Sequence, residues 1–262
     1  MIGAVSPTDV SVCIVAQSAL PLGTYIAWKY CSVPTWGWGA NTRGIVAKLT
    51  TSPISFVASA NSIIHIGAKP VFVDVGNDLN INPDLIEAAI TKKTKAIMPV
   101  HWTGRICNMN KIVKIAKKYN LIIIEDAAQA AGSYYQNKHA GTFGKISAFS
   151  THPLKNLNAL GDGGFIVTNE KKLYDKIKLY RSHGLQGRDD ARVIGVNSRL
   201  DALNAEVLNF RLKKLKSIIQ RRKKNIKLYE KHINTNKIKI LKDKDYEKNS
   251  YVMFIALAQK RN

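Results

Sequence analysis

At 262 residues with 45% hydrophobic content, the chain is long enough to bury a complete α/β core, as one large domain or one and a fraction. Its three cysteines, Cys13, Cys31 and Cys107, show neither paired nor metal-type spacing, which excludes a disulfide scaffold, assigns no metal and points to a reducing cytoplasm. The net charge of +22 raises nucleic-acid binding as a competing class, while no apolar run is long and clean enough to span a bilayer: the best N-terminal stretch is interrupted by Gln17, Ser18 and Pro21 and lacks the basic leader of a signal peptide.

From residue 53 onward, strand and helix signals alternate. Residues 70–75 read as a strand, 83–90 as a helix capped by Asn82, 95–100 as a strand and 108–118 as a helix. The apolar run 121–124, bounded by charge, reads as a central parallel strand covered on both faces, and strands over 145–149 and 164–168 precede a helix over 171–179. This is the rhythm of a mostly parallel sheet wrapped by helices. Further on, Val207, Leu208, Leu212, Leu215, Ile218, Ile219 and Ile226 recur at helical spacing, and an apolar run at 251–257 reads as a strand opening a second small domain. Residues 206–262 hold 17 Lys and Arg against 5 Asp and Glu, so over half of the excess charge sits in the last fifth of the chain. Because those charges fall largely opposite the apolar stripe, and no aromatic-rich or glycine-rich nucleic-acid motif accompanies them, a solvated helix is the favoured reading over nucleic-acid binding.

The chemistry concentrates in residues 121–164. Asp126 ends the central strand, where open α/β sheets place their ligands. An aspartate there can keep a pyridine nitrogen protonated, Gln129 can bond a phenolic oxygen, Lys155 can form a Schiff base and move a proton, and Ser150 can bond a phosphate. An acid, a glutamine three residues on and a lysine downstream thus make a pyridoxal 5′-phosphate site. Gly161, Gly163 and Gly164 are expected to let backbone pass close to the cofactor. His152 reads as a solvated or packed histidine, and His101 and His183 have no metal-ligand spacing with Cys, Asp or Glu.

The motifs Glu125-Asp-Ala-Ala-Gln129, Phe149-Ser150 to Lys155 and Gly161-Asp-Gly-Gly-Phe-Ile-Val-Thr-Asn169 resemble those of the DegT/DnrJ/EryC1/StrS sugar aminotransferases, of the fold-type-I aspartate aminotransferase fold. Ser52 to Asn61, Gly67 to Asp74, Pro99 to Gly104 and Gly195 to Asp201 follow in the family's order, so the resemblance covers residues 50 to about 258. It implies that Phe56 stacks on the cofactor ring and that Asn197 reaches the phosphate of a neighbouring subunit's cofactor, which requires a homodimer. It also implies a soluble enzyme that moves an amino group from glutamate to a keto sugar nucleotide by a ping-pong reaction, in amino-sugar and polysaccharide biosynthesis. Some relatives are dehydratases with histidine in place of the Schiff-base lysine; Lys155 argues for transamination.

Both ends depart from the family pattern. The chain is read as a divergent or frame-shifted segment at 1–49, a cofactor-binding large domain at 50–205, a basic amphipathic helix and linker at 206–249, and the first strand of a truncated C-terminal domain at 250–262. Residues 12–18 look like the strand leading to the family's phosphate loop, yet the Ser-Gly-Thr-Ala-Ala type loop itself has no clear counterpart before residue 50. One base restored after the Ser18 codon could turn residues 19–25 into Gly-Thr-Ala-Ala-x-His-Leu; the competing reading is a divergent N-terminus. A chain lacking that loop and the closing domain has an inactive remnant of the same family as its alternative reading.

Overall fold

The computed structural model describes residues 11–15, 46–234 and 236–258. The expectations for the phosphate loop and for a shifted frame at residues 19–48 fall almost wholly on residues 16–45 and lie outside the described residues.

A seven-stranded sheet organises the chain. Its strands are β1 (Ser11–Val15), β2 (Lys48–Thr51), β3 (Lys69–Phe72), β4 (Thr94–Met98), β5 (Ile122–Asp126), β8 (Ile146–Ser150) and β9 (Gly164–Thr168). Between β5 and β8 lie two short strands, β6 (Tyr134–Tyr135) and β7 (Lys138–His139). The spatial order is β1-β9-β8-β5-β4-β2-β3, which puts β5 in the centre. Every pairing from β8 to β3 is parallel, except that β9 runs against both β8 and β1. This is the doubly covered, mostly parallel α/β sheet expected from the alternating pattern. Gly164 is required by the sheet itself, since a Cβ there would stand 2.4 Å from the Phe149 carbonyl oxygen, whereas a Cβ at Gly161 would meet no protein atom within 4 Å.

The helices α1 (Val57–His65), α2 (Pro83–Ala89), α3 (Met109–Lys118) and α4 (Lys171–Tyr180) cover the sheet. Asn82 caps α2 by accepting the Asp84 N–H at 3.0 Å, and Asn108 caps α3 through the Lys111 N–H at 3.3 Å. Strand alternation divides the core into two layers. Ala96, Met98, Ile124, Ala148 and Ile166 pack with Ile63 of α1 and Leu173 and Ile177 of α4. Ile97, Ile123, Phe149 and Val167 point the other way, against Ile86 of α2 and Met109, Ile112 and Ile115 of α3. That alternation decides the site, because it turns Glu125 toward the α3 side and Asp126 toward the α1 side.

The strands at 70–75, 95–100 and 251–257 were expected longer than they are. β3 ends at Phe72 and β4 at Met98, while at the C-terminal end only β12 (Ala256–Ala258) is extended and paired. The helix expected over the basic segment is α5 (Ala202–His232), 31 residues long, in which Leu215 and Ile218 are buried while Leu203, Phe210, Leu212, Leu228 and Tyr229 stay exposed. After α5, β10 (Ile238–Ile240) pairs antiparallel with β12, and β11 (Glu247–Lys248) adds to β6.

This last segment is bolted to the sheet by a buried arginine. Arg105 donates to Glu247 at 2.7 Å, to Asp243 at 3.3 Å and to the carbonyls of Leu241 and Lys242. Fully buried Ser250 donates its hydroxyl to the Gln129 carbonyl at 3.0 Å, and its N–H reaches the Ser133 hydroxyl at 3.1 Å. Gly104 leaves room for it: with φ +88°, a Cβ there would meet the Ser250 Oγ at 2.3 Å.

Candidate active site

The parallel strands deliver their carboxyl ends to one edge of the sheet, and the expected residues follow from them. Asp126 is the last residue of β5; Ser150 is the last of β8, and Gly164 pairs with both Ser150 and Val15, so β1 ends at the same edge. The loop after β2 leads through Phe56 into α1, and the turn after β8 carries Lys155, whose N–H closes onto the His152 carbonyl at 2.8 Å.

Asp126 is buried, and both its oxygens are engaged. Oδ2 accepts the Ser59 hydroxyl at 2.6 Å and Oδ1 accepts the Ala128 N–H at 3.1 Å. Burial pushes the Lys155 amine below the usual lysine range, opposed by the negative charge of Asp126. A lysine so shifted holds a larger share of neutral, nucleophilic amine than a surface lysine does. Gln129 accepts the Thr103 N–H on Oε1 at 2.6 Å, which fixes the orientation of its amide and leaves the NH2 group as its donor. The Ser150 hydroxyl oxygen accepts the His152 N–H at 3.3 Å, so its own proton is available to an anion. Phe56 stands 66% exposed at the N-cap of α1, an unusual setting for a large apolar ring. In the lysine turn the Thr151 Oγ1, Asn156 Oδ1 and Asn158 Oδ1 are buried without a hydrogen-bond partner among the described residues.

Asn197 lies in the loop before α5. It is exposed, its backbone bridges to Ser182, and its Oδ1 accepts the Arg199 Nε–H at 3.2 Å within its own loop. His152 is half-exposed, with Nδ1 accepting the Leu154 N–H and Nε2 3.8 Å from Asp162.

Beneath the edge lies a second carboxylate whose role sequence reasoning missed. Glu125 is fully buried and accepts four hydrogen bonds: Phe143 N–H and Gly144 N–H on Oε1 at 2.7 and 2.6 Å, Gly141 N–H and His101 on Oε2 at 2.6 and 3.0 Å. Because His101 Nδ1 accepts the Cys107 N–H at 3.3 Å, the ring carries its proton on Nε2 and donates it to Glu125. The His101 N–H in turn holds the Asp126 carbonyl at 3.0 Å. Alternation along the central strand was the available signal, since it sends Glu125 and Asp126 to opposite faces; which residues meet them is a long-range fact. Among the described residues no three His, Cys, Asp or Glu side chains gather as a metal site would require, and no helix is long and apolar enough to cross a membrane.

A profile of the DegT/DnrJ/EryC1/StrS aminotransferase family matches residues 43–262. The chain belongs to this family. Among curated relatives, it is 43% identical over 183 residues to a pleiotropic regulatory protein of Geobacillus stearothermophilus, covering 70% of this chain and 49% of that one. It is 38% identical over 246 residues to dTDP-3-amino-3,6-dideoxy-alpha-D-galactopyranose transaminase of Aneurinibacillus thermoaerophilus, covering 91% and 68%. Among solved structures, the fold of this chain is similar to that of S. venezuelae DesV, solved in complex with a ketimine intermediate, with TM-score 0.85, 28% identity and coverage of 95% of this chain and 65% of that one. Helicobacter pylori PseC, an aminotransferase involved in the biosynthesis of pseudoaminic acid, superposes with TM-score 0.83 at 29% identity, covering 95% and 66%. The chain spans about half the length of most of the curated relatives it matches.

Proposed function

We propose that the chain is the cofactor-binding part of a pyridoxal phosphate-dependent aminotransferase that takes an amino group from glutamate and delivers it to a keto sugar nucleotide, working as a cytoplasmic homodimer. The observation that carries this reading is Lys155: a part-buried amine, shifted down by burial, that feels the charge of a buried aspartate at the end of the central strand. The names of relatives, two of them transaminases of UDP- and dTDP-linked sugars and one a GDP-perosamine synthase, support the substrate class.

The residues present fit the cofactor. The Asp126 carboxylate, held by Ser59 and Ala128, is suited to keep a proton on the ring nitrogen. The Gln129 NH2 group is a donor for the phenolic oxygen, and the Ser150 hydroxyl for the phosphate. The exposed Phe56 ring offers a face for stacking, and Thr151 Oγ1 is a buried polar atom in the lysine turn without a partner among the described residues. When bound, pyridoxal phosphate supplies an electron sink for negative charge at the substrate carbon. The Lys155 amine, whose pKa burial lowers, is the group suited to accept a proton from the substrate carbon and to return it. The exposed carboxamide of Asn197 suits contact with the phosphate held by a second subunit.

Titrating the full chain with pyridoxal 5′-phosphate tests the reading. A long-wavelength absorbance band is expected that saturates with cofactor and is lost in Lys155→Ala; a band that survives in that variant sinks the assignment.

A further inference from the structure

Ser59 lies in the first turn of α1, only 2% exposed, and its hydroxyl is 2.6 Å from Asp126 Oδ2. The hydroxyl of Ser55, at the foot of the same helix, is 2.5 Å from that of Ser59. The direction of this chain is fixed by counting protons. An ionised carboxylate can only accept, so Ser59 spends its single proton on Asp126 and its oxygen receives the proton of Ser55. The order is therefore Ser55 to Ser59 to Asp126, a run in which each bond polarises the next. Phe56 stands between the two serines, at the N-cap. The Ser59 N–H also closes onto the Phe56 carbonyl at 3.0 Å, so the residue that grips the aspartate fixes the backbone that carries the aromatic ring.

We propose that Ser59 is a positioning residue: its hydroxyl, oriented by Ser55, holds the Asp126 carboxylate in one rotamer and ties the start of α1, with Phe56, to the end of the central strand. The two groups that would grip a flat cofactor ring, one at its nitrogen and one on its face, are then set relative to each other by a single hydrogen bond. This rests on the pyridoxal phosphate reading above. Without the bond, the carboxylate is left with the Ala128 N–H on Oδ1, and the first turn of α1 loses its side-chain hydrogen bond to the end of β5.

The test compares wild type, Ser59→Ala, Ser59→Thr and Ser55→Ala, each as the full chain. Two properties are read: hydrogen exchange at the first-turn amides of α1 without cofactor, and the affinity for pyridoxal 5′-phosphate from its Lys155-dependent absorbance. Removing a hydrogen bond to a charged group predicts about a tenfold or greater loss of affinity in Ser59→Ala, with faster exchange at residues 57–60. Ser59→Thr, which keeps the hydroxyl, is expected to restore most of both, and Ser55→Ala to show a smaller loss of the same kind while folding normally. A merely structural serine would change exchange and leave affinity and band position alone, which overturns the proposal. So does unchanged exchange in both alanine variants. A wild-type chain with no Lys155-dependent band overturns the cofactor reading and this role with it, whereas a normal wild-type band unmoved in Ser59→Ala overturns the role alone.

Discussion

Glu125→Gln is the sharpest probe of the scaffold under the site, because it keeps the shape of the side chain and changes only charge and one acceptor. The amide can place its oxygen at Oε1, where the Phe143 and Gly144 N–H groups still find an acceptor. Its NH2 group then faces the Gly141 N–H, donor against donor, in a fully buried position. His101 can accept from the amide only by moving its own proton to Nδ1, which turns a donor toward the Cys107 N–H and forfeits that bond as well. One orphaned buried N–H at about 1–3 kcal/mol, plus two charge-assisted bonds reduced to neutral ones, gives a loss of about 3–5 kcal/mol. Urea unfolding followed by tryptophan fluorescence and, separately, by circular dichroism measures it, with coincident transitions as the check on two-state behaviour. A loss below about 1 kcal/mol would refute the reasoning, since it would mean the four short bonds to Glu125 are not formed in solution.

Three more outcomes are expected. Competitive acetylation across a pH series should find Lys155 reacting at lower pH than the exposed lysines; because its folded pKa is lowered, the unfolded chain binds that proton more tightly, so stability rises with pH through the window between the lowered value and the ordinary one, and Lys155→Met should flatten that rise. Arg105→Met strips Glu247 of its main ion pair and should cost about 3–5 kcal/mol at neutral pH, measured by urea unfolding. Burial already pushes the Glu247 carboxyl up, so the loss should shrink in acid, where that group is protonated; a pH-independent loss would exclude the ion pair as its cause. Gly104→Ala should destabilise by about 1–3 kcal/mol, because a side chain at φ +88° is strained and would collide with Ser250, and Ser250→Gly should recover part of that loss if the collision matters.

What the sequence revealed follows the range of the interactions involved. The helix starts at Pro83 and Met109 were legible because their caps, Asn82 and Asn108, are local, and β9 was legible because residues 164–168 are apolar between glycines and a polar turn. Asp126, Gln129, Ser150 and Lys155 could be grouped from sequence since each follows directly from the end of a strand, and parallel strands share an edge. The Ser59 bond to Asp126 spans 67 residues, His101 to Glu125 spans 24 and Arg105 to Glu247 spans 142; no periodicity encodes such meetings. The long basic helix shows the same limit from the other side. Its apolar stripe was visible, yet the stripe did not tell that only Leu215 and Ile218 would be buried. The strand expected over 251–257 was shortened because the Ser250 and Val252 N–H groups are spent on Gly104, Ser133 and Thr103, and the Tyr251 and Val252 carbonyls on Arg222, rather than on a sheet partner.

The most direct test of the central claim is chemical. The full chain would be incubated with pyridoxal 5′-phosphate, reduced with borohydride, digested and mapped by mass spectrometry. The account predicts one dominant stable adduct, on Lys155, that falls sharply in Asp126→Asn; adducts spread over the exposed lysines of α5, with Lys155 no more reactive than the rest, would contradict it.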